Sequence, residues 1–425
     1  MKYKRMRDRV KEQAKSIKDT RVRKMFSDCF FNSLDTATEM LEDGTAYVFT
    51  GDIPAMWLRD SSVQIIGYVP YATEDPEVKT LVKGLLKRQW KFIQLDPYAN
   101  AFNHTPHPNR HKDETNFESP YVWERKYETD SLCYPLWLAL RYYEATKDSE
   151  IFDTEFFDAF ETIINTFIVE QNHDTKSSYF FKRTGDFAFD TLENNGKGSP
   201  TAKCGLTWSA FRPSDDRCVY HYLVPANLMA AHVIKSLVKN LKENNPDKKV
   251  VLKKADKLAG EILKGVKKRG TVKHSEFGEI YAYETDGFGN HLLMDDANMP
   301  SLLSLPYFSC CAPTDKLYKN TRNFILSEHN PYFFSGKYAS GIGSPHTPKN
   351  YIWHIALAAQ LLTSTDPEEK KKCFEMLITT DGGKGFMHEG FDKDNPANYT
   401  REWFGWANTL FGLAVVDMLK SGFSL

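Results

Sequence analysis

The sequence predicts an all-α protein closed into an (α/α)6 barrel, a toroid of six helical hairpins, and three observations predict it. Helical periodicity runs through most of the chain, amphipathic segments alternate with segments apolar nearly all round, and the connections between them alternate short and long. The amphipathic kind is exemplified by Glu77 to Gln94, with Val78, Leu81, Val82, Leu85 and Phe92 on one stripe and Lys79, Lys83, Lys87 and Lys91 opposite. Val250 to Lys268 repeats that pattern. Asp75-Pro76 and Asp366-Pro367 each read as an N-cap followed by a first-turn proline. The apolar kind is Leu132 to Tyr143, Tyr351 to Leu362 and Trp403 to Val416; a helix apolar on every side is buried on every side.

Pairing each amphipathic segment with the apolar one after it gives six hairpins: 20–41 with 60–72, 77–95 with 129–147, 150–171 with 217–242, 250–268 with 296–306, 314–327 with 350–363 and 367–379 with 400–420. The toroid is one catalytic domain over 1–425, with 1–19 as an N-terminal helical extension. No residue-level repeat supports the ring, so an irregular helical protein is the competing arrangement. Inner-to-outer links such as 73–76, 147–150 and 364–367 are short. The outer-to-inner links 96–128, 172–216, 269–295, 328–349 and 380–399 are long, two of them with strand-like fragments (178–182 and 279–283). Loops that long in a compact domain are generally functional, and in an alternating barrel all fall on the face where the inner helices start.

Composition bounds the partners. A formal net charge of -1 gives no electrostatic reason for nucleic acid or an anionic membrane, and no run of eighteen apolar residues spans a bilayer. The basic N-terminus lacks the apolar core of a secretory signal, and the seven cysteines show no CxxC spacing. A monomeric cytoplasmic protein with reduced thiols is the expectation.

The residues at the inner-helix starts carry the functional reading. They are Trp57, Arg59 and Asp60 in the block Thr50 to Ser62 (TGDIPAMWLRDSS); Glu128 and Asp130; Arg212, Asp215 and Asp216; Asp295, Asp296 and Asn298; Lys349, Asn350 and His354; and Arg401 and Glu402, preceded by His388 and Glu389. Helix capping accounts for some of these acids, but not for the Arg, Trp and amide residues beside them. Aromatic plates, guanidinium forks and carboxylates around a concave mouth suit a sugar ring.

Glycoside hydrolysis needs one carboxylic acid for the leaving oxygen and one carboxylate on the other side of the ring; the candidates are Asp60, Asp130, Asp215, Asp216, Asp296, Glu389 and Glu402. Asp216, beside Asp215 and ahead of an apolar helix, has the surroundings that raise a carboxyl pKa, and Glu389 sits in a loop with Gly383, Gly385 and Gly390. The histidine tract His104, His107, His111 resembles a metal site but is broken by prolines, and 287–290 and 341–344 read as turns rather than nucleotide loops.

With these blocks assembled, the chain resembles glycoside hydrolase family 125, the exo-α-1,6-mannosidases. TGDIPAMWLRDSS at 50–62, FRPSDD at 211–216, MDDANMPSLLSLPYF at 294–308, MHEGF at 387–391 and TREWFGWAN at 400–408 carry the resemblance, in the family's order. It implies an (α/α)6 barrel, inversion at the anomeric carbon, no metal or other cofactor, and an oligosaccharide with terminal α-1,6-linked mannose as substrate. It places the general acid on Asp216, with Asp215 as rival, and the general base on Glu389, with Glu402 as rival. Arg59, Asp60 and Asn298 match positions that grip the terminal mannose; Trp57, Asp130, His354 and Arg401 are added from the barrel-mouth argument. A phosphorylase of the same fold and a non-catalytic glycan-binding protein are the alternatives.

Overall fold

The computed structural model describes residues 2–107 and 111–425, so 108–110 of the histidine tract lie outside it. The two Asp-Pro pairs start helices as their chemistry dictates. Asp75 and Asp366 each accept a hydrogen bond from the amide two residues on, at Glu77 and Glu368, and the proline occupies the first turn, where no N–H partner is needed. Along the chain run α1 (Lys4–Ala14), α2 (Thr20–Thr36), α3 (Leu58–Ile66), α4 (Pro76–Leu95), α5 (Thr129–Thr146), α6 (Thr154–Glu170), α7 (Val224–Leu241), α8 (Lys249–Arg269), α9 (Lys316–Ile325), α10 (His354–Thr363), α11 (Pro367–Thr379) and α12 (Gly405–Lys420), with shorter turns of helix in the loops.

The apolar helices line the inside. α3 packs on α5, α5 on α7, α10 on α12, and α12 back on α3, while the amphipathic α2, α4, α6, α8, α9 and α11 form the outer layer. One continuous hydrophobic cluster joins the layers, from Met6 and Val10 of α1 to Met418 of α12, so the 1–19 segment packs into the same core. The expected fourth inner helix, 296–306, is absent and a chain of turns takes its place. Pro300 and Pro306 carry no N–H to continue a helical ladder. The Asp295 carboxylate accepts from the amides of Leu302 and Leu303 at 2.8 and 2.9 Å, folding the segment on itself instead. Tyr134 Oη of α5 donates to the Met299 carbonyl at 2.7 Å, so these turns still close the inner wall.

The long loops gather on the face where the inner helices start. Two three-stranded sheets stiffen it: Ala101–Asn103 between Ala55–Trp57 and Val122–Glu124, and Gly390–Asp392 between Tyr351–Trp353 and Asn395–Thr400. In each, one strand runs directly into an inner helix, α3 after Trp57 and α10 after Trp353. The strand-like fragments at 178–182 and 279–283 overlap the short strands Phe181–Lys182 and Gly278–Tyr281. His104 lies against the rings of Tyr47 and Phe49, with Nε2 3.4 Å from Glu39. Among the described residues no group of three or more His, Cys, Asp or Glu is arranged to hold a metal ion. All seven cysteines are free thiols, and Cys29, Cys133, Cys218, Cys310 and Cys373 are buried. Among the described residues no helix is long and apolar enough to cross a membrane.

Candidate active site

Arg59, in the first turn of α3, is 2% exposed and organises the floor of a pocket at the barrel mouth. Its Nη1 donates to Glu128 at 2.6 Å and to Asp130 at 3.1 Å, both at the start of α5, and its Nη2 donates to Asp215 at 3.2 Å. Asp60 stands 3.7 Å from Nε, and the guanidinium lies over the Trp406 ring at 5.8 Å. Four carboxyl groups around one buried cation cannot all ionise without strong repulsion. Burial, only partly offset by Arg59, raises Asp60 and Asp130 to about 6, and it raises Glu128 well above the usual carboxyl range. For Asp215 burial is outweighed by Arg59 and then by Lys126, which hold it at about 2.

The FRPSDD segment forms a tight turn. The Arg212 amide donates to the Asp216 carbonyl at 2.7 Å, and Asp215 takes up a left-handed backbone (φ 64°). Arg212 is anchored by a 2.6 Å ion pair to Glu284, whose other oxygen accepts from the amides of Val219 and Tyr220. Lys126 Nζ donates to the Asp215 carbonyl at 2.8 Å. This turn sends neighbouring side chains to different places. Asp215 lines the pocket, whereas Asp216, 1% exposed, accepts at 2.9 Å from Nδ1 of His346, itself a lining residue. The sequence reading favours Asp216 for the acid, with Asp215 as rival; the left-handed kink at Asp215 puts that side chain in the lining, and Asp216 keeps its Oδ2 buried with no hydrogen-bond partner among the described residues.

Glu389 lines the pocket from the strand entering Gly390, where a side chain would come within 3.2 Å of Trp353. Arg401 Nη1 lies 3.6 Å from Glu389; its Nη2 pairs with Asp52, and the guanidinium sits 4.3 Å over Phe404. Trp57, Trp353, Trp406 and Asn298 complete the wall, enclosing about 360 Å³ of space including the open mouth. Trp57 Nε1, Trp406 Nε1 and Asn298 Oδ1 are buried with no hydrogen-bond partner among the described residues, the provision a hydroxyl-rich ligand needs.

Of the sequence-predicted residues, the pocket thus gathers Trp57, Arg59, Asp60, Asn298, Glu389 and Arg401. Asp130 is absent from the pocket lining and accepts from Arg59 Nη1 at 3.1 Å. His354 is corrected from contact to support. It is absent from the pocket lining; its Nδ1 meets the amide of His388 at 2.9 Å, its Nε2 meets Thr380 at 3.1 Å, and burial holds it neutral, at about 3. Glu402 pairs with Lys384 at 3.0 Å at the surface, 63% of its side chain exposed, away from the pocket. Sequence reasoning missed His346, which lines the pocket; although burial opposes its charge, Asp216 outweighs this and raises it to about 9. The one signal was a histidine in a long outer-to-inner loop, beside a Gly-Ile-Gly-Ser run read as a turn.

A pocket with one sealed end, walled by indoles and flanked by acids from separate loops, set in the mouth of a helical toroid, defines a glycoside hydrolase of the (α/α)6 class. The family model described as the metal-independent α-mannosidases, GH125, matches residues 19–416, and the chain belongs to that family. A solved metal-independent α-mannosidase from Streptococcus pneumoniae, in a non-productive complex with α-1,6-mannobiose, is 44% identical. It superposes with a TM-score of 0.94, and the match covers 98% of each chain. The meiotically up-regulated gene 157 protein of Schizosaccharomyces pombe is 38% identical over 97% of this chain and 84% of its own length. A bacterial glucoamylase complexed with acarbose, 9% identical with a TM-score of 0.59 over 93% of this chain and 55% of its own, shares the fold alone.

Proposed function

We propose that the protein is an exo-acting α-1,6-mannosidase that inverts configuration at the anomeric carbon, with Glu389 as general base and Asp216 as general acid, Asp215 being the rival for the acid. The observation that carries this reading is that the Asp215–Asp216 turn and Glu389 meet at one pocket from different loops, with Arg59 and Trp57 in its walls. Buried Arg59 and Trp406 in the lining support a pocket for one terminal ring. Linkage is inferred from the α-1,6-mannobiose bound by the 44% identical relative.

In this reading the terminal mannose lies on the indoles of the wall, and Arg59, Asp60 and Asn298 hold its hydroxyls. Asp216 protonates the leaving oxygen while Glu389, oriented by Arg401, takes a proton from the attacking water. Two carboxyls roughly 6.5–9.5 Å apart leave room for that water, and the product has inverted configuration. The seven unpaired thiols suit a reducing compartment, where an oligosaccharide fragment would be the substrate.

The test is proton NMR of the first-formed mannose from α-1,6-mannobiose with chelator present. The β anomer is expected first, at an undiminished rate. The α anomer would sink inversion, and turnover only with added phosphate would establish the phosphorylase reading instead.

A further inference from the structure

The pocket accounts for one sugar ring, and a second, the leaving one, has to lie outside it on the side of the acid. His346 marks that side, since it lines the pocket and its Nδ1 lies 2.9 Å from an Asp216 oxygen. Its ring meets two aromatics of opposite exposure. Trp353, 1% exposed, stands 6.3 Å away in the pocket wall; Phe187, 43% exposed, stands 6.4 Å away with the rings at 84°. A lone exposed aromatic is ordinary, but the place and anchoring of this one are not. Among the described residues the exposed aromatic side chains are Tyr121, Phe187, Phe288 and Tyr338, and of these Phe187 is the one whose ring lies against a pocket residue.

The segment that carries Phe187 is tied to the acid's own turn. Asp190 pairs with Lys126 at 2.5 Å, and Lys126 also donates to the Asp215 carbonyl. The Phe189 carbonyl accepts at 2.9 Å from the amide of Arg217, the residue after Asp216, and the Arg217 guanidinium covers the Phe189 ring at 5.4 Å. Arg217 in turn pairs with Glu193 at 2.6 Å. Phe189 is thus engaged by the protein, while Phe187, two residues earlier, is left open beside the mouth.

We propose that Phe187 is the plate on which the leaving sugar rests, so that 184–193, and not the pocket, recognises the second ring; this rests on the hydrolase reading above. One face of a pyranose is apolar C–H surface that packs on an aromatic ring, and Phe has no hydrogen-bonding group that would select one pattern of hydroxyls. The plate therefore takes the second hexose by shape and tolerates changes in its hydroxyls. A 1,6 linkage adds a rotatable C5–C6 bond between the rings, so the leaving sugar swings freely unless something holds it. Contact with Phe187 offsets that lost freedom and keeps the glycosidic oxygen near Asp216. Because the segment is fastened to Asp215 and Arg217, plate and acid keep one geometry.

The test compares Phe187→Ala with wild type on α-1,6-mannobiose and on methyl α-mannoside, whose leaving methanol needs the same proton but brings no second ring. The expected result is a fall of at least ~10-fold in the ratio of the two kcat/KM values, disaccharide over methyl glycoside, and its return in Phe187→Trp. If methyl α-mannoside turns over too slowly to time, its inhibition constant against mannobiose replaces its kcat/KM and is read the same way. A ratio that Phe187→Ala leaves unmoved, through equal losses or none, overturns the proposal, as does one that Phe187→Trp leaves as low as Phe187→Ala does. Should Phe187→Ala fail to fold, Phe187→Leu, apolar but without a ring face, decides by the same ratio. Wild-type protein that releases no mannose from the disaccharide would instead sink the hydrolase reading, an outcome read before any variant is made.

Discussion

The two ends of the ring differ in a way that cavity size does not predict. At the end where the inner helices finish, Ile66, Val69, Trp137, Tyr307, Leu413 and Val416 line about 1090 Å³ of open space, three times the volume at the mouth. Its charged residues, Arg141, Glu144, Asp417 and Lys420, stay on the rim, and the Arg141–Glu144 pair is about half exposed. At the mouth the charges are the buried part: Arg59, Asp60, Glu128, Asp130 and Asp216 are each under 5% exposed. Helix direction accounts for this. Amino ends leave N–H groups free and favour nearby carboxylates, which then recruit Arg59 and Lys126. The carboxyl ends are simply closed by packing. Chemistry sits where charge is buried, whatever the volume.

Five substitutions would break or sharpen this contrast, from the largest effect down. Glu389→Gln and Asp216→Asn should each lower kcat on α-1,6-mannobiose by about 10³–10⁵-fold with unchanged thermal unfolding. Asp215→Asn should cost less, and a larger loss there than at Asp216 would hand the acid role to Asp215. Arg59→Ala, which strands the buried carboxyls, should cost about 3–5 kcal/mol in denaturant unfolding and abolish turnover together. Trp137→Ala at the opposite end should cost a similar ~3–5 kcal/mol but leave kcat/KM within about twofold; an activity loss there would show that the two ends are coupled.

His346 gives the pH-dependent comparison. Asp216 raises it from near 6.5 unfolded to about 9 folded, despite the opposing effect of burial. The pair's stabilisation is therefore complete below pH 6.5 and lost as pH rises through 9. After discount for its 34% exposed side chain, it should contribute about 1–2 kcal/mol, and His346→Gln should flatten that part of the stability–pH curve. Smallest of all, Lys420→Ala on the far rim should change stability by under ~0.5 kcal/mol and activity not at all.

The fold was legible because its signals are periodic and local. Alternating stripes, all-apolar segments and Asp-Pro starts each report a backbone preference that burial then enforces. The one misplaced element, 296–306, shows the limit: its apolar content is that of an inner helix, and only Pro300, Pro306 and the reach of Asp295 to Leu302 and Leu303 turn it aside. The site was legible as a set of blocks, not as individual roles. Nothing local in Ser-Asp-Asp says which aspartate faces the pocket; that depends on the left-handed φ at Asp215 and on Lys126 gripping its carbonyl from 89 positions away. His354 misled because a histidine on an apolar helix looks alike whether it meets a ligand or, as here, Thr380 and the backbone of His388.

The unpaired thiols carry a practical consequence. Cys29, Cys133, Cys218, Cys310 and Cys373 are spread through both layers and shielded from solvent, whereas Cys204 and Cys311 are partly open. A maleimide pulse would tag the latter two at once and the former five only as their surroundings breathe. The chain thus carries native timers of its own local opening, able to report which sector of the ring loosens first.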